Sequence, residues 1–151
     1  MENFNYKIKD FYKGLGSGKN MVLSTLHNNR VSSRMMSIVL INGIFYFQTD
    51  KTFRKYEQIK NNPNIALCID NIQIEGICLE VGHPLSNNEF CRIFEKCFKG
   101  SYDTYSALKN ERLFKVKPTY IEKWEYKNGK PFIEIIDIEN KVYKNMLYEG
   151  N

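Results

Sequence analysis

The chain has 151 residues, of which 42% are hydrophobic and 26% charged, and these values are ordinary for a globular domain with its own core. A chain of this length is expected to form a single domain over residues 1–151. The net charge of +5 is spread along the sequence and not gathered into a basic tract, so we expect no nucleic-acid partner.

The sequence contains no signal for a membrane or for secretion. No apolar run approaches the ~18 residues of a membrane-spanning helix, and the charged N-terminus lacks a signal-peptide core. We therefore expect a cytoplasmic protein without a membrane partner. The cysteines form no CxxC pair and have no histidine at zinc-site spacing. Two of them, Cys68 and Cys78, lie in apolar runs, so buried reduced thiols and no metal site are expected.

The first part of the chain predicts a helix followed by strands. Residues 3–14 place apolar side chains at helical spacing, and the glycines of GLGSGK (14–19) end that helix. GLGSGK lacks the GxxxxGK(S/T) spacing and the preceding strand of a phosphate-binding loop, so we interpret it as a linker. MVLSTLH (21–27) predicts a strand, and the turn after it leads into a second strand at 31–41.

A hairpin and a short helix follow. Asn42-Gly43 separates the second strand from IFYFQT (44–49), and Asn-Gly between two apolar runs is the strongest short-range signal of a β-hairpin. Residues 51–61 predict a short helix, and Thr49 or Asp50 is placed to cap its N-terminus.

The remaining pattern predicts two strands (65–70 and 72–84), a helix (86–99), three late strands (112–118, 120–126 and 131–137) and a short helix in the tail. Consecutive strands joined by tight turns form an antiparallel sheet, and many short strands in a small domain favour closure into a barrel. The predicted fold is mainly β with flanking helices, an α+β class.

One position in the second strand is unusual, because Arg34 interrupts a largely apolar run and a buried cation needs a partner. Thr49 ends the third strand, and Arg54 and Lys55 follow it, so the folded hairpin can bring three cations and a hydroxyl into one small volume. Guanidinium groups bind phosphate bidentately and an ammonium adds a point charge, which makes this a candidate phosphate site. Exposure on an edge strand for Arg34, and a solvated helix face for the other two cations, are the alternatives.

The sequence shows no recognisable catalytic motif: it contains no Ser-His-Asp order, no paired carboxylate site and no HExxH motif. His27 and His83 stand in a predicted turn and at a strand end, where surface or turn roles are expected. Trp124 lies on a late strand and is expected in the core or in an interface. The aromatics of IFYF are mostly core residues, although Phe45 or Tyr46 faces a ligand in one of the two possible registers.

Three segments resemble the pyridoxamine 5'-phosphate oxidase-like FMN-binding split barrels, whose relatives include general stress proteins and nitroimidazole-resistance proteins. The segments are VLSTL, SSRMMSIVLINGIFYFQTDKTFRKYEQIKNNPNIALCI and IEGICLEVGHP, between about Met21 and Pro84. The resemblance implies an antiparallel split β-barrel that binds FMN.

The resemblance also implies a set of cofactor-binding residues at one end of the hairpin: Arg34, Met35, Met36, Gln48, Thr49, Arg54 and Lys55. The three cations correspond to phosphate ligands of the family, and the two methionines to the strand that runs along the flavin ring. Phe53 stands where the family motif has Ser or Thr, so one phosphate hydrogen bond is missing. No catalytic residue follows from the resemblance, since the flavin itself carries the reactivity.

The function implied by the resemblance is that of a homodimeric oxidoreductase that passes electrons from NAD(P)H to a small electrophilic acceptor such as a nitroaromatic. A non-catalytic flavin- or haem-binding stress protein is the alternative. A basic barrel that binds nucleic acid is a third, and it predicts salt-sensitive binding to oligonucleotides. Oxidation of pyridoxamine phosphate is not expected, because the oxidases of that name carry substrate-phosphate arginines in a C-terminal segment and no arginine follows Arg112 here.

Overall fold

A computed structural model describes residues 2–150 of the chain, and within them lie four α-helices, eight β-strands and one 3₁₀ turn at Pro84–Ser86. The helices are α1 (Glu2–Leu15), α2 (Arg54–Asn61), α3 (Asn88–Cys97) and α4 (Lys99–Tyr105). The strands are β1 (Gly18–His27), β2 (Arg30–Ile41), β3 (Ile44–Asp50), β4 (Asn64–Ile69), β5 (Ile72–Glu80), β6 (Glu111–Lys127), β7 (Lys130–Asp137) and β8 (Val142–Leu147).

The strands form one antiparallel sheet in the order β3-β2-β1-β4-β5-β6-β7-β8, and a further pairing of β3 with β6 closes six of them into a barrel. Strand β6 pairs with β5 along one edge and is long enough to serve two partners along the other, since residues 111–116 pair with β3 and residues 120–127 pair with β7. Strands β7 and β8 therefore extend the sheet beyond the barrel. This arrangement confirms the predicted antiparallel split β-barrel with flanking helices.

Tight turns set the register of the first three strands. Asn28 and Asn29 have φ values of 50° and 59°, and Asn42 and Gly43 have φ values of 49° and 78°. Two successive positive φ angles are the mark of a type I′ turn, whose twist matches that of the flanking strands. The predicted hairpin at Asn42-Gly43 is confirmed, with Ile41 opposite Ile44.

The core lies inside the barrel and follows the two-residue period of the strands. Phe45 and Phe47 of β3 are fully buried, and Phe47 stacks on Phe114 of β6 with ring centroids 5.4 Å apart. Because successive side chains of β3 point to opposite faces of the sheet, Thr49 points to the same side as these two phenylalanines and is also buried. A second, smaller cluster forms beneath α3, around Phe90 and Phe94.

Several predictions for the second half of the chain were wrong. The two strands predicted at 112–118 and 120–126 are one continuous strand, because a register shift between Glu75 and Gly76 of β5 accommodates Pro118. The tail forms β8 instead of a helix, since pairing with the free edge of β7 satisfies its backbone. The helix predicted at 86–99 is divided into the 3₁₀ turn, α3 and the start of α4, and Asn87 caps α3.

The cysteines also differ from the prediction. Cys78 is buried, but Cys68 is exposed because the alternation of β4 turns Leu67 inward and Cys68 outward. Among residues 2–150, no group of three or more His, Cys, Asp or Glu side chains is placed to hold a metal ion. Within the same range, no helix combines the length and apolarity needed to cross a membrane.

Candidate functional site

A cavity of about 340 Å³, here called the Thr49 cavity, opens where β2, β3 and the start of α2 meet the segment from α3 to β6. It brings together five of the residues predicted from the sequence: Met35, Met36, Gln48, Thr49 and Lys55. They converge because β2 and β3 are hydrogen-bonded neighbours and α2 starts four residues after the end of β3. The volume lies within the range of small-molecule sites.

Thr49 lines this cavity, and its hydroxyl has no hydrogen-bond partner. The residue is 4% exposed, and its Oγ1 is the one side-chain polar atom within residues 2–150 that is both fully shielded from solvent and without a partner. A buried polar atom left unpaired costs about 1–3 kcal/mol, so such atoms in native structures are usually satisfied by a ligand or a water. Neither Thr49 nor Asp50 caps α2, contrary to the prediction, because Phe53 is the N-cap residue and no side chain caps the helix.

Lys55 supplies the positive charge of the cavity. Burial lowers the pKa of its ammonium group, the nearby Arg34 lowers that pKa further, and Glu111 acts in the opposite direction. The ammonium nitrogen lies 4.8 Å from the centre of the Phe53 ring. The Phe53 ring thus makes a cation–π contact with Lys55 at the cavity.

Arg34 lies outside the wall of the Thr49 cavity and is held by neutral acceptors. Its guanidinium donates to Gln58 Oε1 at 2.7 Å, to Thr25 Oγ1 at 2.9 Å and to the carbonyl oxygen of Leu23 at 3.2 Å. Burial lowers the pKa of Arg34, and the charge of Arg54 lowers it further. The two alternatives for this residue were exposure or a partner, and the partners observed are uncharged.

Arg54 is exposed on the first turn of α2 and lines a neighbouring cavity of about 270 Å³ together with His27 and Arg30. Within the described part of the chain, neither Arg34, Arg54 nor Lys55 forms an ion pair with a carboxylate. Three cations that influence one another without a counter-ion make this end of the barrel attractive to an anion.

Two polar residues of this region were not identified from the sequence. Gln58 is 3% exposed, accepts hydrogen bonds from Thr25 and Arg34, and donates to Ser32 Oγ at 3.2 Å. It fastens α2 to β1 and β2. An amide beside Ile59 on the buried face of a short helix is the signal that points to such a role.

Glu111, the first residue of β6, is the second residue that the sequence did not reveal. It is 5% exposed, lines the Thr49 cavity and stands opposite Asp50 in the ladder between β3 and β6. Burial, and then the charge of Asp50, raise the pKa of its carboxyl group to about 7, although Lys55 lowers it. No local pattern distinguishes this glutamate from a surface residue.

Apolar side chains surround the mouth of the cavity. Phe94 forms part of the inner wall, whereas Met35, Phe53, Tyr105 and Leu108 are each about half exposed or more, from 47% to 62%. Gln48 is tied to this wall, because the hydroxyl of Ser106 donates to its Oε1 at 2.7 Å. The cavity therefore combines polar and charged lining residues with an apolar entrance formed by these exposed side chains.

The remaining candidates from the sequence lie elsewhere. Phe45 is in the core, and Tyr46 packs against Phe90, so neither lines the Thr49 cavity. His83 has a turn role, as expected: its Nδ1 accepts from the backbone of Leu85, and its Nε2 bonds to a carbonyl oxygen. Trp124 is 37% exposed and packs against two tyrosines on the sheet extension, so it is not a core residue.

Comparison with known sequences gives one family. Residues 6–125 match the sequence model of the family described as pyridoxamine 5'-phosphate oxidase. A search of the curated proteins finds no significant match.

Solved structures share the fold. The General Stress Protein 26 from Bacillus anthracis str. Sterne is 23% identical, with 80% of this chain and 92% of that chain covered and a TM-score of 0.58. A pyridoxamine 5'-phosphate oxidase-related, FMN binding protein from Nostoc punctiforme is 11% identical, with coverages of 99% and 94% and a TM-score of 0.62. HutZ, the heme storage protein from Vibrio cholerae, is 16% identical, with coverages of 76% and 89% and a TM-score of 0.58. At these identities the likeness is one of fold.

Proposed function

The chain belongs to the pyridoxamine 5'-phosphate oxidase family, and on this premise we propose that it is an FMN-binding flavoprotein that works as an oxidoreductase. The observation that carries the proposal is the unpartnered Thr49 hydroxyl in one cavity with Lys55. A hydroxyl donor and an unpaired ammonium group in the same cavity match the acceptor oxygens and negative charge of a phosphate.

The residues present fit FMN. Lys55 and Thr49 would hold the phosphate, and Arg34 and Arg54 would add positive charge, with Arg34 held rigid by Gln58. Met35 and Met36 would lie along the ring, and Gln48, anchored by Ser106, would line its edge. When bound, FMN supplies the capacity to take electrons from a reduced nicotinamide and pass them to an acceptor.

The apolar entrance favours a small, flat, electrophilic acceptor such as a nitroaromatic. Phe94 and Tyr105 offer aromatic surface at the cavity, and aromatic rings contact flat rings favourably. No side chain of the chain itself need transfer electrons, so these residues would orient the acceptor and exclude water.

We also propose that the protein is a homodimer in which a second chain covers the entrance. Met35 is 62% exposed and Phe53 is 54% exposed, and such a concentration of apolar surface at a cavity is typical of an interaction site. Molecular mass by light scattering tests this part of the proposal, with a mass of one chain as the contradictory result.

A flavin suits this cavity better than haem does. Haem in proteins is commonly held by a histidine. Here His27 opens to the neighbouring cavity, and both ring nitrogens of His83 are already hydrogen-bonded. A flavoprotein without turnover remains distinct from the oxidoreductase, because only the latter transfers electrons from NAD(P)H to an acceptor.

The first test is the visible absorption spectrum of the purified protein before and after addition of FMN. We expect a bound flavin that NAD(P)H reduces and that a nitroaromatic reoxidises. The double variant Arg54→Ala/Lys55→Ala should lose FMN while remaining folded. Its matched control is Arg92→Ala/Lys96→Ala, which removes the same charge from exposed positions on α3. Equal flavin occupancy in both double variants would place the phosphate elsewhere.

A further inference from the structure

The Thr49 cavity contains a buried acid where an anion is expected to bind. Glu111 is 5% exposed, and its carboxylate makes no hydrogen bond and no ion pair within residues 2–150. Its backbone is fully used, since its N–H donates to the carbonyl of Leu108 and its carbonyl accepts from Arg112. The backbone of Glu111 is therefore hydrogen-bonded through both its N–H and its carbonyl, while the carboxylate has no partner.

The charges that face Glu111 come from two elements. Asp50 of β3 is directly opposite in the ladder, but its carboxylate is occupied by the backbone N–H and hydroxyl of Thr52, at 2.7 Å and 2.6 Å. Lys55 of α2 shares the cavity. The lining residues of α3 and α4 are uncharged: Phe94, Ser101 and Tyr105.

An unpaired carboxylate in such a place is costly when ionised, and the usual response is protonation. In the absence of a ligand, ionisation is favoured by Lys55 and opposed by Asp50. A phosphate or another anion that binds Lys55 changes this balance, because it competes for the ammonium group and adds a like charge next to the carboxylate. Binding would then be strong only while Glu111 carries a proton.

We propose that Glu111 couples the binding of an anionic ligand in the Thr49 cavity to the uptake of one proton. This inference rests on the proposed function in that the ligand is a phosphate-bearing flavin. The proton resides on a Glu111 carboxyl oxygen, and no other covalent change is involved. Glu111 thereby sets the upper pH limit of cofactor loading, and it limits how tightly the cavity holds a phosphate at neutral pH.

The test measures FMN dissociation constants by quenching of flavin fluorescence, from about pH 5.5 to about pH 8.5, for the wild type, Glu111→Gln and the control Glu89→Gln. The phosphate itself gains charge near pH ~6, so the informative quantity is the ratio of wild-type to variant constants at each pH. For Glu111→Gln we expect a ratio near one at the acid end that rises to about tenfold at the alkaline end, one pKa unit being a factor of ten. For the exposed Glu89→Gln the ratio should stay near one throughout.

A second readout does not depend on activity. Titration calorimetry at about pH 7.5 in buffers of different ionisation enthalpy counts the protons taken up with FMN, and the wild type should take up more than Glu111→Gln does. A pH-independent ratio together with equal proton uptake would overturn the inference. Riboflavin, which lacks the phosphate, should show a much smaller pH dependence, and an equal one would also contradict it.

Failure of the proposed function has a different signature. If FMN binds at no pH, the flavin proposal falls, and the same pH comparison is made with inorganic phosphate by thermal shift. A phosphate-induced stabilisation that fades at high pH in the wild type but not in Glu111→Gln would support proton coupling. Equal pH dependence in the two proteins would refute it.

Discussion

Gln58 accepts a hydrogen bond of 2.7 Å from Arg34, and this contact connects the helix that presents Lys55 to the strand that presents Met35 and Met36. Since Gln58 also accepts from Thr25 at 2.8 Å, the helix is hydrogen-bonded to two strands at once. The position of the cation at the cavity thus depends on a buried amide that does not itself line the Thr49 cavity.

Replacement of Arg34 should weaken flavin binding and loosen α2. Arg34→Ala removes a charged group and leaves the Gln58 oxygen with one donor, so FMN affinity should fall by about 1.5 kcal/mol or more. Fluorescence titration measures the affinity, with Arg92→Ala on the exposed face of α3 as the control. Unchanged affinity would remove Arg34 from the site.

Thr49→Val should have opposite effects on stability and on binding. The substitution removes a buried hydroxyl that has no partner, so the flavin-free protein should be as stable or more stable, by up to about 1–3 kcal/mol. FMN affinity should fall, because the ligand loses a donor. Urea unfolding of the flavin-free protein and fluorescence titration measure the two effects. A loss of stability would show that the hydroxyl has a partner in the folded chain.

Phe53→Ala should release Lys55. The Phe53 ring lies 4.8 Å from the ammonium group, and a contact of this kind contributes about 0.5–1 kcal/mol at an exposed site. Phe53→Ser removes the same contact but adds the hydroxyl that the family motif carries, so it should bind FMN more tightly than Phe53→Ala. Equal affinity of the two variants would mean that residue 53 does not reach the phosphate.

Glu111 should make the flavin-free protein less stable at high pH. The pKa of its carboxyl group in the folded protein is about 7, above the ordinary value of 4.5. The protonated group therefore contributes fully to the free energy of unfolding below pH 4.5, and this contribution is lost as the pH rises through 7. At about 1.4 kcal/mol for each pKa unit, the free energy of unfolding of the wild type should fall by about 2–3 kcal/mol relative to Glu111→Gln over this range. Parallel curves for the two proteins, measured by urea unfolding, would contradict this.

Gly76→Ala should destabilise the barrel. An added Cβ would lie 2.7 Å from Cγ1 of Val116 and 2.8 Å from the carbonyl oxygen of Lys117. Both residues belong to β6 and precede Pro118, which stands opposite Gly76. We expect a loss of about 1–3 kcal/mol in the free energy of unfolding, as for other overpacked sites. Gly100→Ala, in α4 with nothing within 4 Å of the new atom, should be neutral or stabilising.

The sequence by itself determined the local elements of the first half of the chain. Two-residue alternation and the Asn-Gly turn specify a hairpin with one buried face, and a slip of one residue would expose Phe45 and Phe47. The same pattern showed that Arg34 is out of place in its strand. These properties depend on near neighbours, and near neighbours are visible in a sequence.

Only the tertiary structure decided what stands opposite the hairpin. The pairing of Asp50 with Glu111 joins residues from distant parts of the chain, and it brings Phe94 and Tyr105 to the cavity as well. Such a register is set by how the whole barrel closes and by the shift at Gly76, which no local pattern encodes. The burial of Glu111 follows from that closure, because an acid is expensive to bury only after the surrounding chain has excluded water.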